Sequence, residues 1–448
     1  LARLDIAEIV IASGQAEDPA FRTLRDTQHE KISLLPDARF SFLNAKERVE
    51  RTFNVQTIDS FGAFTRAEVI AAGVLLDYIA LTQKCDMASL KTPQRQTKSD
   101  IMEIDANTRK SLELFYSLSS DRSAKSLHKV MDKTVTGCGG RLFCEYLAAP
   151  QINPKIINDR LDGVEYFLHN KQVRMKLREL LKTLPDMDRS LSRLALGRGG
   201  PKDLGALRDA LLLLPFVQNL FLRENMPSIV QTALSDVPDF LHLAQKLKKA
   251  LKPDNLPLLV RDGGFIAKGY NSALDDLELL NENAKAVFDQ MQAKYVEKTG
   301  ISTLKITSNT LLGHFIEVNS KYAQTILENP DWGLIHRQTM LNNVRFTTVE
   351  LNEKENQLRT AAEQIQAIEE HIFAELAQEL ISRSRELLQA SKSLAVLDIL
   401  SAFAELSENK NYVRPVVDNS VVFEVEGGRH PVVEDALQSQ HQTFASND

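Results

Sequence analysis

The chain has 448 residues, 43% of them hydrophobic and 25% charged, with a formal net charge of −6. That balance excludes a disordered polypeptide and a protein coated in basic surface, and it suits two to four domains with large cores. Three cysteines, Cys85, Cys138 and Cys144, are too few and too irregularly spaced for a disulfide framework or a zinc site, so buried thiols in a reducing compartment are expected.

In chain order, the first residues read as the middle of a helix and lack a Met, so a further segment is expected upstream. No apolar run approaches the roughly 20 residues that cross a bilayer, and no signal-peptide layout is present, so the expected location is cytoplasmic, with no membrane partner. Residues 1–97 mix strand candidates at 38–42 and 53–57 with a helix over 65–80 carrying Val69, Ile70, Val74, Leu75 and Ile79, the pattern of a small α/β domain. Asp5, Asp59, Asp77 and Asp105 permit a metal-dependent nuclease reading, since two-metal hydrolysis needs convergent carboxylates; four scattered acids are also what composition supplies. Residues 91–100 form a polar linker and 101–105 a short connecting strand.

Beyond residue 105 the pattern is helical. Segments starting near Thr108, Thr136, Pro154, Gln172, Met187, Pro201 and Val237 repeat apolar residues at three-and-four spacing. Residues 211–214 and 256–260 are expected in the core. The glycine-rich stretches 137–140 and 197–200 read as turns, and 261–265 as a sharp turn where Gly263 and Gly264 free the backbone.

Residues 270–299 contain no Gly or Pro and place Leu274, Leu277, Leu280, Ala284, Val287, Phe288, Met291 and Tyr295 at helical intervals. Residues 351–414 also lack both, and Leu351, Leu358, Ile365 and Ile372 recur every seven residues. A helix through most of that stretch would reach roughly 80 Å at 1.5 Å per residue, which makes it a spacer. Between these arms, residues 304–318 read as a hairpin, residues 322–327 as a short helix, and residues 336–348 as further strands with a bend at Asn342 and Asn343. The returning arm, residues 351–379, carries seven acids against Lys354 and Arg359, whereas the strand-rich head carries four cations against three acids. The arms therefore repel a polyanion and the head tolerates one, although an acidic long helix is also simply a well-solvated face.

Residues 421–425 open a strand, followed by Gly427, Gly428, Arg429, His430, Pro431, Val432 and Val433. No complete phosphate-binding loop, His-Glu-x-x-His, Gly-x-Ser-x-Gly or Cys/His cluster occurs, so no catalytic residue is assigned.

The ordered set Asp132 to Gly137, Arg141-Leu142-Phe143, Arg160 to Glu165, Leu191 to Leu194, Arg261 to Gly264, Gly313 to Val318, Arg337-Gln338-Thr339, Leu397-Asp398, Asn411-Tyr412 and Gly428 to Glu434 resembles the MutS family of DNA mismatch repair proteins almost end to end. The resemblance implies a mixed fold. Residues 1–97 would be a ribonuclease-H-like α/β connector domain, 98–285 the first part of an all-α lever (core) domain, and 286–350 a small β-rich clamp. Residues 351–415 would return as the lever's long helix and 416–448 would start an ATPase domain. It implies double-stranded DNA as partner, a homodimer and MutL as partners of the full-length protein, and ATP and Mg as its cofactors, with none held by this chain and no metal site in it. Backbone contacts to DNA transfer to Asn309, Thr310, Gly313, Asn342 and Arg345, because Asn and Arg side chains and turn amides can donate to phosphate oxygens without reading sequence. The family often has Lys before the Asn342 position; here it is Leu341, which removes a charge. Phe444 matches an aromatic residue that stacks on adenine. The competing readings are a structural coiled-coil protein with a protein-binding tip and the metal-dependent nuclease.

Overall fold

The structure, a computed structural model, describes residues 6–55, 57–58, 64–83, 93, 101–118, 125–221, 225–309 and 313–447. It divides into two compact units: Leu1–Gly199 with Asp203–Gln245 and Ala377–Asp448, and Gly200–Lys202 with Lys246–Leu376.

The first unit opens with β1 (Ile9–Ala12), α1 (Arg22–Gln28) and β2 (Ile32–Leu35), the strands pairing in parallel with Ile9 opposite Ile32. Helices α2 (Phe42–Thr52) and α3 (Arg66–Gln83) follow and bury Val49, Ile58, Val69 and Leu76 together. Gly73 makes this approach possible, since a Cβ there would collide with Ala45. Thr65 and Glu68 start α3 by exchanging backbone and side-chain hydrogen bonds, Thr65 N to Glu68 Oε2 at 2.6 Å and Glu68 N to Thr65 Oγ1 at 3.3 Å, the reciprocal arrangement that satisfies two free amides at a helix start. The strands expected at 38–42 and 53–57 do not form among the described residues. Residues 37–40 make a 3-10 turn, Phe42 begins α2, and Phe53 and Asn54 end it, with Asn54 at φ 50°. Burial of Ala45 and Val49 at four-residue spacing outweighs β propensity there.

The helical part comprises α4 (Ala106–Ser111), α5 (Leu127–Met131), α6 (Gly137–Ala148), α7 (Pro154–His169), α8 (Lys171–Lys182), α9 (Met187–Ala195), α10 (Pro201–Asn219), α11 (Ser228–Ser235) and α12 (Leu241–Ala250). The connecting strand expected at 101–105 reduces to a single bridge between Ile101 and Gln151, and Asp105 caps α4. Residues 137–140 are the first turn of α6 rather than a loop. Leu211 and Leu214 are core, but Leu258 and Leu259 are exposed, a correction to the core expected at 256–260. Gly197, at φ 63°, does make the expected turn.

In the second unit α13 (Ser272–Thr299) ends on Gly300 in the left-handed conformation, which L-residues adopt at a cost. Strands β3 (Lys305–Asn309), β4 (Gly313–Asn319), β5 (Ile335–Thr339) and β6 (Asn343–Thr347) surround the short α14 (Ala323–Leu327), and α15 (Val349–Ser382) follows. The helix expected to run through 351–414 is interrupted once, at Arg383, before α16 (Ser384–Lys410).

Helix α16 is long and apolar enough to cross a membrane by length and composition, contrary to the expectation of no such run, yet 72% of its apolar window is buried inside the protein. It is the central helix of the first unit, packing on α6, α7 and α9. The strand expected at 421–425 is absent: Val421, Val422 and Phe423 lie exposed with no partner strand among the described residues, and α17 (Pro431–Ser439), capped by His430, follows. A strand needs a neighbour for its amides, and none is supplied.

Candidate nucleic-acid interface

The head of the second unit is an antiparallel sheet in the order β3-β4-β6-β5. On its inner face Ile316, Val318, Val344 and Phe346 pack against Phe288, Met291 and Tyr295 of α13 and Leu351 of α15. The alternation of β6 turns Asn343 and Arg345 to the other face. There Arg345 donates from Nε to Glu317 Oε2 at 3.3 Å and from Nη1 to Gln338 Oε1 at 3.0 Å, and its guanidinium lies 4.4 Å from the centroid of the Phe315 ring. Asn343 Nδ2 donates to the other oxygen of Glu317 at 3.1 Å. With its side chain 16% exposed, Arg345 is shared between Glu317 and Gln338 and presents only part of its guanidinium outward.

Asn309 pairs with Gly313 where β3 meets β4; Thr310 lies outside the described residues. Gly313 has φ 66°, and a Cβ on it would strike the carboxylate of Glu355. That same carboxylate is hydrogen-bonded to Nδ1 of His314, whose ring stacks on Phe288 at 3.9 Å. A carboxylate therefore already stands against this end of the hairpin. Asn342 sits at the opposite end of β4, because Asn343 pairs with Asn319. Gly313 and Asn319 are six residue steps apart along β4, about 20 Å at the rise of a strand. The structure thus does not bring the four described contact residues, Asn309, Gly313, Asn342 and Arg345, into one patch.

The Asn342 end is the more open. Met340 N donates to Asn343 O at 2.8 Å and Ser320 N to Asn342 O at 2.9 Å, fixing the turn, while Asn342 is exposed and Leu341 at its apex is 96% exposed. Ser320 brings Lys321 alongside, exposed and 4.7 Å from the centroid of the Tyr322 ring. Sequence reasoning counted Lys321 only in the charge total; its place three residues after Val318 of a strand pairing with the Asn342 turn was the available signal.

Among the described residues no group of three or more His, Cys, Asp and Glu could hold a metal ion. Asp77 is paired with Arg39 at 2.6 Å and Arg48 at 3.3 Å, and Asp105 accepts from the amides of Asn107 and Thr108. Asp5, Asp59 and Cys85 lie outside the described residues; Cys138 is a buried free thiol and Cys144 a half-buried one. Phe444 is half-buried in the tail that Gly428 and Asn447 close by mutual backbone hydrogen bonds.

A family model described as MutS domain III matches residues 107–404, two thirds of the chain, and one described as MutS domain II matches residues 1–91. The chain belongs to the MutS family. Proteins named DNA mismatch repair protein MutS from Ruegeria sp. (strain TM1040), Roseobacter denitrificans (strain ATCC 33942 / OCh 114) and Ruegeria pomeroyi (strain ATCC 700808 / DSM 15171 / DSS-3) are 40%, 38% and 40% identical to it. Each alignment covers 100% of this chain and 51% of the relative, so the chain spans about half the length of these curated MutS proteins.

Proposed function

We propose that this chain serves DNA mismatch repair as the part that embraces the backbone of double-stranded DNA and transmits the state of an ATPase to that grip. The observation that carries the reading is 38–40% identity to mismatch repair relatives along the whole chain. In this reading residues 1–97 are a ribonuclease-H-like connector, the helical part and α15 are the lever, and the head sheet is the clamp, with MutL and a second copy as partners of the full-length protein. A long helix suits the role because a small rotation at its base becomes a large displacement at its tip. ATP and Mg belong to the full-length protein in this reading. Phe444 offers a stacking face, but none of the described residues around it forms a loop of amides for phosphates, so the residues present do not make a nucleotide site and no step passes through one.

Asn309, Thr310, Gly313, Asn342 and Arg345 are the proposed DNA contacts, and we add Lys321 beside the Asn342 turn. Contacts of this kind position a duplex without reading its sequence. With two or three phosphates neutralised per head, the logarithm of affinity should fall with the logarithm of salt at a slope of about −2 to −3. Fluorescence anisotropy on a labelled duplex tests this. The double variant Asn342→Ala with Arg345→Ala should weaken binding, and Lys321→Ala should shallow the slope by about one. If neither affinity nor slope moves in either variant, the head is not the grip. The coiled-coil reading requires α13 to bury its apolar stripe along its full length, whereas Leu280 of that stripe, in the first third of the helix, is exposed.

A further inference from the structure

Between α6, α7, α11 and α16, within the first unit, lies an open crevice of about 380 Å³. Arg160 of α7 projects into it with its guanidinium 3.6 Å from the centroid of the Tyr146 ring, a face-on stack. Among the described residues it makes no hydrogen bond and no ion pair, and burial pulls its pKa down with only Tyr146 opposing. A guanidinium taken partly out of water is ordinarily matched by a carboxylate or by carbonyl oxygens. A position over an aromatic face offsets part of the loss but supplies no protein acceptor for the five N–H donors, which are left to water or a ligand. Lys392 of α16 lines the same crevice, also without an ion-pair partner among the described residues.

Two acids line it as well. Asp236, at the end of α11, accepts from Gln389 Nε2 at 2.9 Å, and Asp159 precedes Arg160 on α7. Neither carboxylate lies within ion-pair distance of the guanidinium. The formal charges of the lining cancel, so attraction for an anion comes from the preorganised planar donor fork of Arg160, which matches a carboxylate or phosphate edge.

We propose that this crevice binds a small molecule through a carboxylate or phosphate group, with Arg160 as the recognising residue and Lys392 as a second cation at the rim. The site lies outside the proposed DNA grip and does not depend on it.

The test follows the thermal unfolding midpoint of the 448-residue chain against inorganic phosphate or acetate at fixed ionic strength, with chloride as the matched control. Binding to the folded state raises the midpoint with ligand concentration. At least one of the two oxyanions should raise the wild-type midpoint above chloride, and comparing them tells phosphate from carboxylate chemistry. Arg160→Gln, which stays polar but is shorter and removes both the charge and the guanidinium fork, should abolish the rise. Lys392→Gln, an exposed change that leaves the fold intact, should shift the half-maximal concentration upward several-fold. The proposal fails if neither oxyanion outperforms chloride, or if the rise persists in Arg160→Gln; should that variant not fold, an unchanged half-maximal concentration in Lys392→Gln overturns it.

Discussion

Each unit has a buried carboxylate that pins a distant loop to a long helix, and the two are built differently. In the first unit Asp398 of α16, fully buried, accepts from the amides of Val135 at 3.1 Å and Thr136 at 2.8 Å and from the Thr136 hydroxyl at 2.6 Å, with Arg178 Nη1 at 3.8 Å. In the second Glu369 of α15, 1% exposed, accepts from the amides of Gly264 at 2.8 Å, Phe265 at 3.0 Å and Ile266 at 3.4 Å, with no ion pair to it among the described residues. Both acids pin a distant loop to a long helix, and both need glycine at the contact. A Cβ on Gly139 would collide with Asp398, and one on Gly263 would come within 2.9 Å of Glu369. The comparison teaches that a carboxylate can replace apolar packing where a turn presents several parallel amides; whether a cation joins it depends on what else the loop must hold. Arg178 also donates to the carbonyl of Lys133 at 2.8 Å and pairs with Glu405, so it ties the same loop a second time.

The largest expected effect is from Asp398→Ala. It strands two amides and a hydroxyl in a buried site, and hydrogen bonds to a charged group contribute about 1.5–3 kcal/mol each before relaxation. A loss of about 3–5 kcal/mol in chemical unfolding is expected, in the range for breaking a buried charged contact. Glu369→Ala should cost less, about 2–3 kcal/mol, because it gives up amide hydrogen bonds but no ion pair. Hydrogen exchange separates the two: the first variant should lose protection in α6, the second at residues 264–266. If both lose protection equally everywhere, the two carboxylates are not separate pins. Gly263→Ala should follow at about 1–2 kcal/mol, combining a positive φ of 64° with the approach to Glu369.

Much of this architecture was legible in the sequence, under a different label. The arms, the hairpin and the bend at Asn342 follow from 3.6- and 2-residue periodicity and from turn residues, and the structure has α13, β3 to β6 and α15 there. Several motifs that carry the family resemblance prove to be the pins themselves: Asp132 to Gly137 and Leu397-Asp398 meet at one point, and Arg261 to Gly264 meets Glu369. Glu369 itself was illegible, because it is one of eight acids on a helix whose others are mostly solvated, and only tertiary contact distinguishes it. The candidate site fared likewise. Asn342 reads as an exposed turn and is one, but the partnership of Arg345 with Glu317 depends on strand register, which a single sequence does not determine.

The smallest effect expected here is also the one that reveals which force controls Asp398. Burial raises its carboxyl pKa, against the opposing pull of the Thr136 hydroxyl, the two amides and Arg178. A carboxyl whose folded pKa lies above its unfolded value near 4 contributes its full stability below that value and loses it as pH rises through the folded pKa. The advantage of the wild type over Asp398→Asn should therefore shrink as pH rises from about 4. Asp186, also beside α6, behaves oppositely. Arg141 donates to it at 2.8 Å through both terminal nitrogens and holds its pKa below the usual carboxylate range. Its contribution is present above about pH 4 and lost as pH falls, and with Arg141 48% exposed solvent screening keeps it under about 1 kcal/mol. Urea midpoints of the two Asn variants and the wild type between pH 3.5 and 7 should give difference curves of opposite slope. Parallel slopes would mean that the hydrogen bonds to Asp398 outweigh its burial.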